Sequence, residues 1–138
     1  MNGYLLDTHT WLWAQRGEIE RFSPDLRTEL EQRQLRREVY LSAISILELA
    51  RLVAGNRYPL PSSIEDFVAE AIDDDGFVLL SLSPQILIES TRLPGTFHRD
   101  PSDRLIVATA REHGLTLITR DKEILTYAKQ GHLNARKP

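Results

Sequence analysis

One local pattern constrains this chain more than any other. A short, uniformly apolar run ends on an acid or a hydroxyl residue, and a helix-forming segment follows. The pattern occurs at Tyr4-Leu5-Leu6-Asp7 and Val39-Tyr40-Leu41-Ser42, and similar apolar runs stand at Phe77-Val78-Leu79-Leu80 and Leu115–Thr119. A strand with one wet face alternates apolar and polar residues, whereas a strand covered on both faces does not. Strands separated by helix-length segments pair in parallel, because tight turns cannot join parallel neighbours. The pattern therefore predicts an α/β fold whose central parallel sheet carries helices on both faces. Ligands of such sheets bind beyond the carboxyl ends of the strands, so the residues just after each run are the candidates for chemistry.

The intervening segments read as helices. The spacing predicts helices over 8–14 and 24–36, the second with Ser23 as N-cap and Pro24 at its first position. Only Leu26, Leu30 and Leu35 mark an apolar side on 24–36, so it reads as a surface hairpin arm. A helix over 45–54 ends near Gly55. Ser62-Ser63 caps another that carries Ile64, Phe67, Val68, Ala71 and Ile72, broken by Asp73-Asp74-Asp75-Gly76. Pro84 opens a helix to about 92, and Asp100-Pro101 opens one to His113, stopped by Gly114. The last strand is read at 115–119 and the last helix at 121–129.

Composition excludes several classes. The 138 residues fit one domain, and there is no cysteine, so disulfides, thiolate catalysis and cysteine-bound zinc are out and a reducing cytoplasm is the expected location. No signal peptide and no membrane-spanning run is read. The net charge of −3 argues against a broad basic nucleic-acid surface, and leaves room for a local basic rim. There is no Walker sequence and no GxGxxG, and the kinase-like string His98-Arg99-Asp100 lacks a glycine-rich partner loop.

Four acids stand at strand-to-helix turns: Asp7, Glu48, Asp103 and Asp121. Each has an ordinary structural reading. Ser45-Ile46-Leu47-Glu48 fits a capping box, and Asp7, Asp100 and Asp121 fit helix caps. Asp103 fits an acid favoured by a helix dipole. Four carboxylates brought together without a cation would repel, however, and some would stay protonated. A hard divalent ion with oxygen ligands, Mg²⁺ or Mn²⁺, resolves that conflict and supports metal-assisted hydrolysis of a phosphodiester by an activated water.

The segments LLDTHTWLW at 5–13, SILELA at 45–50, HRDPSDRLIVATA at 98–110 and LITRDKEI at 117–124 together resemble the PIN-domain ribonucleases, and among them the VapC toxins of toxin–antitoxin pairs. The resemblance implies a three-layer α/β/α fold with four or five short parallel strands, one PIN domain over 1–138, and an Mg²⁺- or Mn²⁺-dependent endoribonuclease acting on RNA such as tRNA or rRNA. It implies a VapB-type antitoxin and a homodimer. It also puts Asp7, Glu48, Asp103 and Asp121 at the catalytic and metal-binding positions, Asp7 and Asp103 as direct ligands and Glu48 and Asp121 through water. Thr119 matches a hydroxyl residue that orients a ligand or a water.

Arg104 and Arg120 are read either as phosphate-gripping residues or as charge compensation for the neighbouring acids. The histidines at 9, 98, 113 and 132 show no metal-ligand spacing. Trp11 and Trp13 cannot share a helix face, so one is expected in the core and the other at a dimer or antitoxin contact. Leu49, Leu52 and Val53 cannot all point inward with Ile46 and Ala50, which leaves part of that helix for a partner or a larger core. Two alternatives remain. One is a PIN-fold binding module without catalysis. The other is a small acid-dependent phosphatase or receiver domain; His9 stands where a phosphatase of that type would carry a second Asp.

Overall fold

In the computed structural model, which describes residues 3–138, five strands form one parallel sheet in the order β3-β2-β1-β4-β5. They are β1 (Tyr4–Leu6), β2 (Val39–Ser42), β3 (Val78–Leu80), β4 (Thr116–Ile118) and β5 (Asn134–Arg136). Seven α-helices accompany them among the described residues: α1 (Thr8–Gln15), α2 (Pro24–Leu35), α3 (Ala43–Ala54), α4 (Ile64–Ala69), α5 (Pro84–Ser90), α6 (Pro101–His113) and α7 (Lys122–Lys129). A π-helical turn, Glu70–Asp74, extends α4.

The absence of alternation in the strands now has its cause. Leu5 pairs in register with Tyr40 on one side and Leu117 on the other. Tyr4, Leu6, Val39, Leu41 and Ile118 pack on one face with Trp11, Leu26 and Phe67. Leu5 and Leu117 pack on the opposite face with Ile86, Val107 and Tyr127. Both directions of side-chain projection meet a helical layer, so both must be apolar.

From β1 the chain proceeds to β2 and β3 on one side, and later to β4 and β5 on the other. The order reverses between β1 and β4. That switch point leaves a crevice at the carboxyl ends of the strands.

The structure corrects several expectations. Helix α2 is no surface arm: Leu26 and Leu30 are buried in the first core cluster, and only Leu35 is exposed, at 88%. Two buried leucines four apart suffice to dock a charged helix. The N-cap of α3 is Ser42, whose hydroxyl accepts from the Ile44 amide. The helix therefore begins two residues before Ser45, Ser45 is buried inside it, and no capping box links Ser45 to Glu48. Its far end is as expected, with Gly55 the C-cap at φ near −88°, and Asn56 takes the left-handed turn at φ 54°. Strand β5 lies beyond the segment expected to be last. It is an edge strand with one neighbour, and Asn134-Ala135-Arg136 carries no apolar run to announce it.

Candidate active site

Asp7 ends β1 and caps α1. Its Oδ1 accepts from the Thr10 amide at 2.9 Å and from the Thr10 hydroxyl at 2.8 Å. Its Oδ2 accepts from the buried Thr119 hydroxyl at 2.5 Å. The Thr119 oxygen in turn accepts from the Asp121 amide at 3.0 Å. One hydroxyl thus ties the loop after β1 to the loop after β4, across the switch point. Asp121 caps α7 through Oδ1, which accepts from the Ile124 amide at 2.9 Å. Capping and a place in the crevice are therefore compatible: a carboxylate has more acceptor sites than an N-cap uses.

Glu48 reaches the same place from the second turn of α3. Its Oε1 accepts from the buried Thr8 hydroxyl at 2.6 Å, and that hydroxyl also lies 2.9 Å from Ser45 Oγ. Asp103 comes from the first turn of α6, where the Asp100 side chain accepts from the Asp103 amide at 3.1 Å as the N-cap. Asp7, Glu48, Asp103 and Asp121 all line one cleft of about 430 Å³, together with Thr8, His9, Thr10, Trp13, Ile106 and Arg120.

The electrostatics are those of an acid pocket short of counter-charge. Burial, reinforced by Asp100, Asp121 and Glu48 and opposed by His98, lifts the Asp103 carboxyl to about 6. His98 was not expected here. Its Nε2 lies 3.1 Å from Asp103 Oδ2 and 3.1 Å from Glu123 Oε2. These are ion-pair distances without hydrogen-bond alignment, since the buried nitrogen has no directed partner. His98, Asp121 and Glu123 each offer a donor atom within 4.8 Å of the others, which is spacing suited to a cation. That group adjoins the four-acid cleft and shares Asp121 with it. Sequence spacing missed it because His98 and Glu123 lie on different elements. The one available signal was that both fall inside the segments 98–110 and 117–124.

The two arginines part company. Arg104 donates from Nε to the Ser90 carbonyl at 2.7 Å and from Nη1 to the carbonyls of Phe97 and His98 at 3.0 and 3.1 Å. It fastens the loop before α6 to the end of α5, does not line the cleft, and has its fork engaged; phosphate gripping is not where the structure puts it. Arg120 does line the cleft and is exposed. Trp11 is buried, its indole nitrogen donating to Gln15 at 2.6 Å. Trp13 stands at the cleft wall with the Arg120 guanidinium 5.6 Å from its ring centroid. On α3, Leu49 is buried and Leu47 is 44% exposed.

The model of the PIN domain matches residues 4–130. The chain belongs to the PIN-domain family. Ribonuclease VapC22 of Mycobacterium tuberculosis is 32% identical to it over 127 residues, 92% of this chain and 93% of that protein. Solved structures share the PIN architecture. VapBC2 from Rickettsia felis, bound to a DNA fragment from its promoter, superposes with a TM-score of 0.68 at 18% identity, covering 100% of this chain and 99% of that one. DNA-bound VapBC from Salmonella typhimurium gives 0.66 at 19% identity, covering 99% and 98%. FitAcB from Neisseria gonorrhoeae gives 0.61 at 22% identity, covering 96% and 95%. At these identities the structural likenesses speak for the fold: a parallel sheet between helical layers, as the sequence pattern implied.

Proposed function

We propose that this PIN domain is a divalent-metal-dependent endoribonuclease and the toxin of a toxin–antitoxin pair. The observation that carries the reading is the convergence of four acids, from four different elements, in one cleft at the switch point of the sheet. The identity to Ribonuclease VapC22 over nearly the full length of both chains supports ribonuclease chemistry. The VapBC likenesses support a small VapB-type antitoxin as partner, and a homodimer is the working form that membership of the family suggests. A cytoplasmic location fits these partners, and no described helix is long and apolar enough to cross a membrane. We treat residues 1–138 as one domain.

The donor set suits a hard cation. Four of the ten residues lining the cleft are carboxylates, and Asp103 is held near 6 by burial and neighbouring acids, a cost that a bound Mg²⁺ or Mn²⁺ would remove. Asp7 and Asp103 would hold the ion directly, Glu48 and Asp121 through water. When bound, the ion polarises the scissile phosphate and acidifies a water for attack on phosphorus. The chain's own residues supply the rest. Thr119 fixes the Asp7 carboxylate in one rotamer and couples it to the Asp121 loop. Thr8 does the same for Glu48. Arg120 at the rim presents a guanidinium to the non-bridging phosphate oxygens. Cleavage would leave a 5′-phosphate and a 3′-hydroxyl.

The test is incubation of the protein with total RNA and with small phosphate esters, each with and without Mn²⁺. Metal-dependent RNA cleavage, with the esters untouched, is expected. Ester turnover alone would point to a phosphatase. Inertness towards both, with RNA still bound, would point to a binding module.

A further inference from the structure

A second cleft shares Arg120 with the acid pocket. It has a volume of about 450 Å³ and is lined by Arg21, Arg120, Lys122, Leu125, Lys137 and Pro138. Four of its six lining residues have cationic side chains and none has an acidic one, in a chain whose net charge is −3. Arg120 lines both clefts, so the two are neighbours. Among the described residues no carboxylate pairs with Arg120, Lys122 or Lys137. Arg21 uses its Nε on Glu18 at 3.0 Å, which leaves its terminal nitrogens available.

Trp13 explains how the like charges are held together. The guanidinium carbon of Arg21 lies 4.8 Å from the Trp13 ring centroid and that of Arg120 lies 5.6 Å from it. Attraction to one indole offsets part of the repulsion between the two arginines. The ring is itself braced edge-on by the buried Phe22. Uncompensated cations concentrated beside an acid pocket serve an anion that spans both. A polyanion with regularly spaced charges meets that description, since one phosphate can sit among the acids and their metal while its neighbours follow the cations.

We propose that this basic cleft holds the RNA strand flanking the scissile phosphate, with Arg120, Lys122 and Lys137 on successive phosphates and Trp13 as the positioning residue that holds Arg21 and Arg120 in place. The proposal rests on the ribonuclease reading of the acid cleft and adds the path of the substrate and the residues that grip it.

The test compares the wild type with Lys122→Gln/Lys137→Gln. A control, Arg51→Gln/Arg57→Gln, makes the same charge change at exposed positions outside the cleft. Binding of a fluorescein-labelled single-stranded oligoribonucleotide of about ten nucleotides is followed by anisotropy in EDTA, over a range of salt. Each phosphate contact contributes a slope of about 0.7 in log K against log salt, so the cleft variant should lose about 1.4 of slope and bind roughly 25-fold more weakly near 0.1 M salt. The control should keep the wild-type slope. In Mg²⁺, the cleft variant should show a raised KM with kcat retained. An unchanged slope in the cleft variant, or equal losses in variant and control, overturns the proposal. Loss of binding to an oligoglutamate peptide with RNA binding intact also overturns it, and assigns the cleft to an acidic protein segment. If no protein cuts RNA under any metal condition, the ribonuclease reading fails, while the salt slopes still decide whether the cleft holds a strand.

Discussion

Two acidic environments in this molecule make opposite use of charge. On one side of the sheet, Glu29 accepts a hydrogen bond from the Tyr4 hydroxyl and another from Arg136 Nη1 at 2.9 Å. Those partners, the tyrosine first and the arginine second, hold its carboxyl below the ordinary value. At the switch point, Asp7, Glu48, Asp103 and Asp121 share a cleft, and the Asp103 carboxyl rises to about 6. The first site satisfies its charge from within the chain. The second leaves charge for something outside the chain to satisfy. A fold that can place an arginine on a half-buried glutamate, yet lines one cleft with four acids, marks the second site as the one kept for a ligand.

The largest effect should come from removing one acid of the cleft. Asp7→Asn keeps the cap on α1, because asparagine caps as well as aspartate. It should fold normally and lose RNA cleavage by more than the roughly 100-fold expected of a supporting residue, measured as initial rate in Mn²⁺. Undiminished cleavage would remove Asp7 from the chemistry. Thr119→Val comes next. It takes away the hydroxyl on Asp7 Oδ2 and should lower activity or metal affinity by about 10- to 100-fold, which a metal titration of the cleavage rate resolves.

Metal binding should then appear as stability. An ion that binds only the native state at about 100 times its Kd stabilises by about 2.7 kcal/mol, so the wild type should melt several degrees higher in Mg²⁺ or Mn²⁺ than in EDTA. Asp7→Asn should narrow that gap from both sides, by weakening the metal site and by relieving repulsion in the metal-free protein.

The pH dependence is smaller and has a definite sign. The folded-state value of Asp103 lies above its ordinary 3.8, so the folded protein binds the proton more tightly than the unfolded chain does. That contribution is fully present below about 4 and is lost as pH rises through about 6. In EDTA, the melting temperature relative to Asp103→Asn should fall across that interval; a flat difference would contradict the shift. The smallest effect should come from the compensated site. Glu29→Gln should leave cleavage and its metal dependence unchanged, because nothing in the cleft touches it, and a partly exposed ion pair contributes little.

The parts of this molecule legible in the sequence are those governed by local chemistry. Uniformly apolar strands announced a sheet covered on both faces, and Ser23-Pro24 and Asp100-Pro101 announced the starts of α2 and α6. The acids after β1 and β4 were visible because strand ends are. What escaped depends on contacts between distant segments. Burial of Leu26 and Leu30 depends on how α2 lies against the sheet, and no spacing on α2 encodes that. Beside Asp103 in the sequence, Arg104 reads as a phosphate grip or a charge compensator, yet its guanidinium donates to three carbonyls supplied by a patternless loop and the end of α5. His98 and Glu123 meet only because the loop before α6 comes up against the first turn of α7. The edge strand β5 has one strand neighbour, so its residues were free to be polar.

The most direct measurement is anomalous diffraction from a crystal of the protein soaked in manganese. The expected result is a peak in the cleft with oxygens of Asp7 and Asp103 about 2.0–2.3 Å away, the distance range of hard-cation coordination. No peak among the four acids, or manganese bound only at His98 and Glu123 with Asp7 and Glu48 left bare, would contradict the claim that these carboxylates are gathered to hold the ion that cuts RNA.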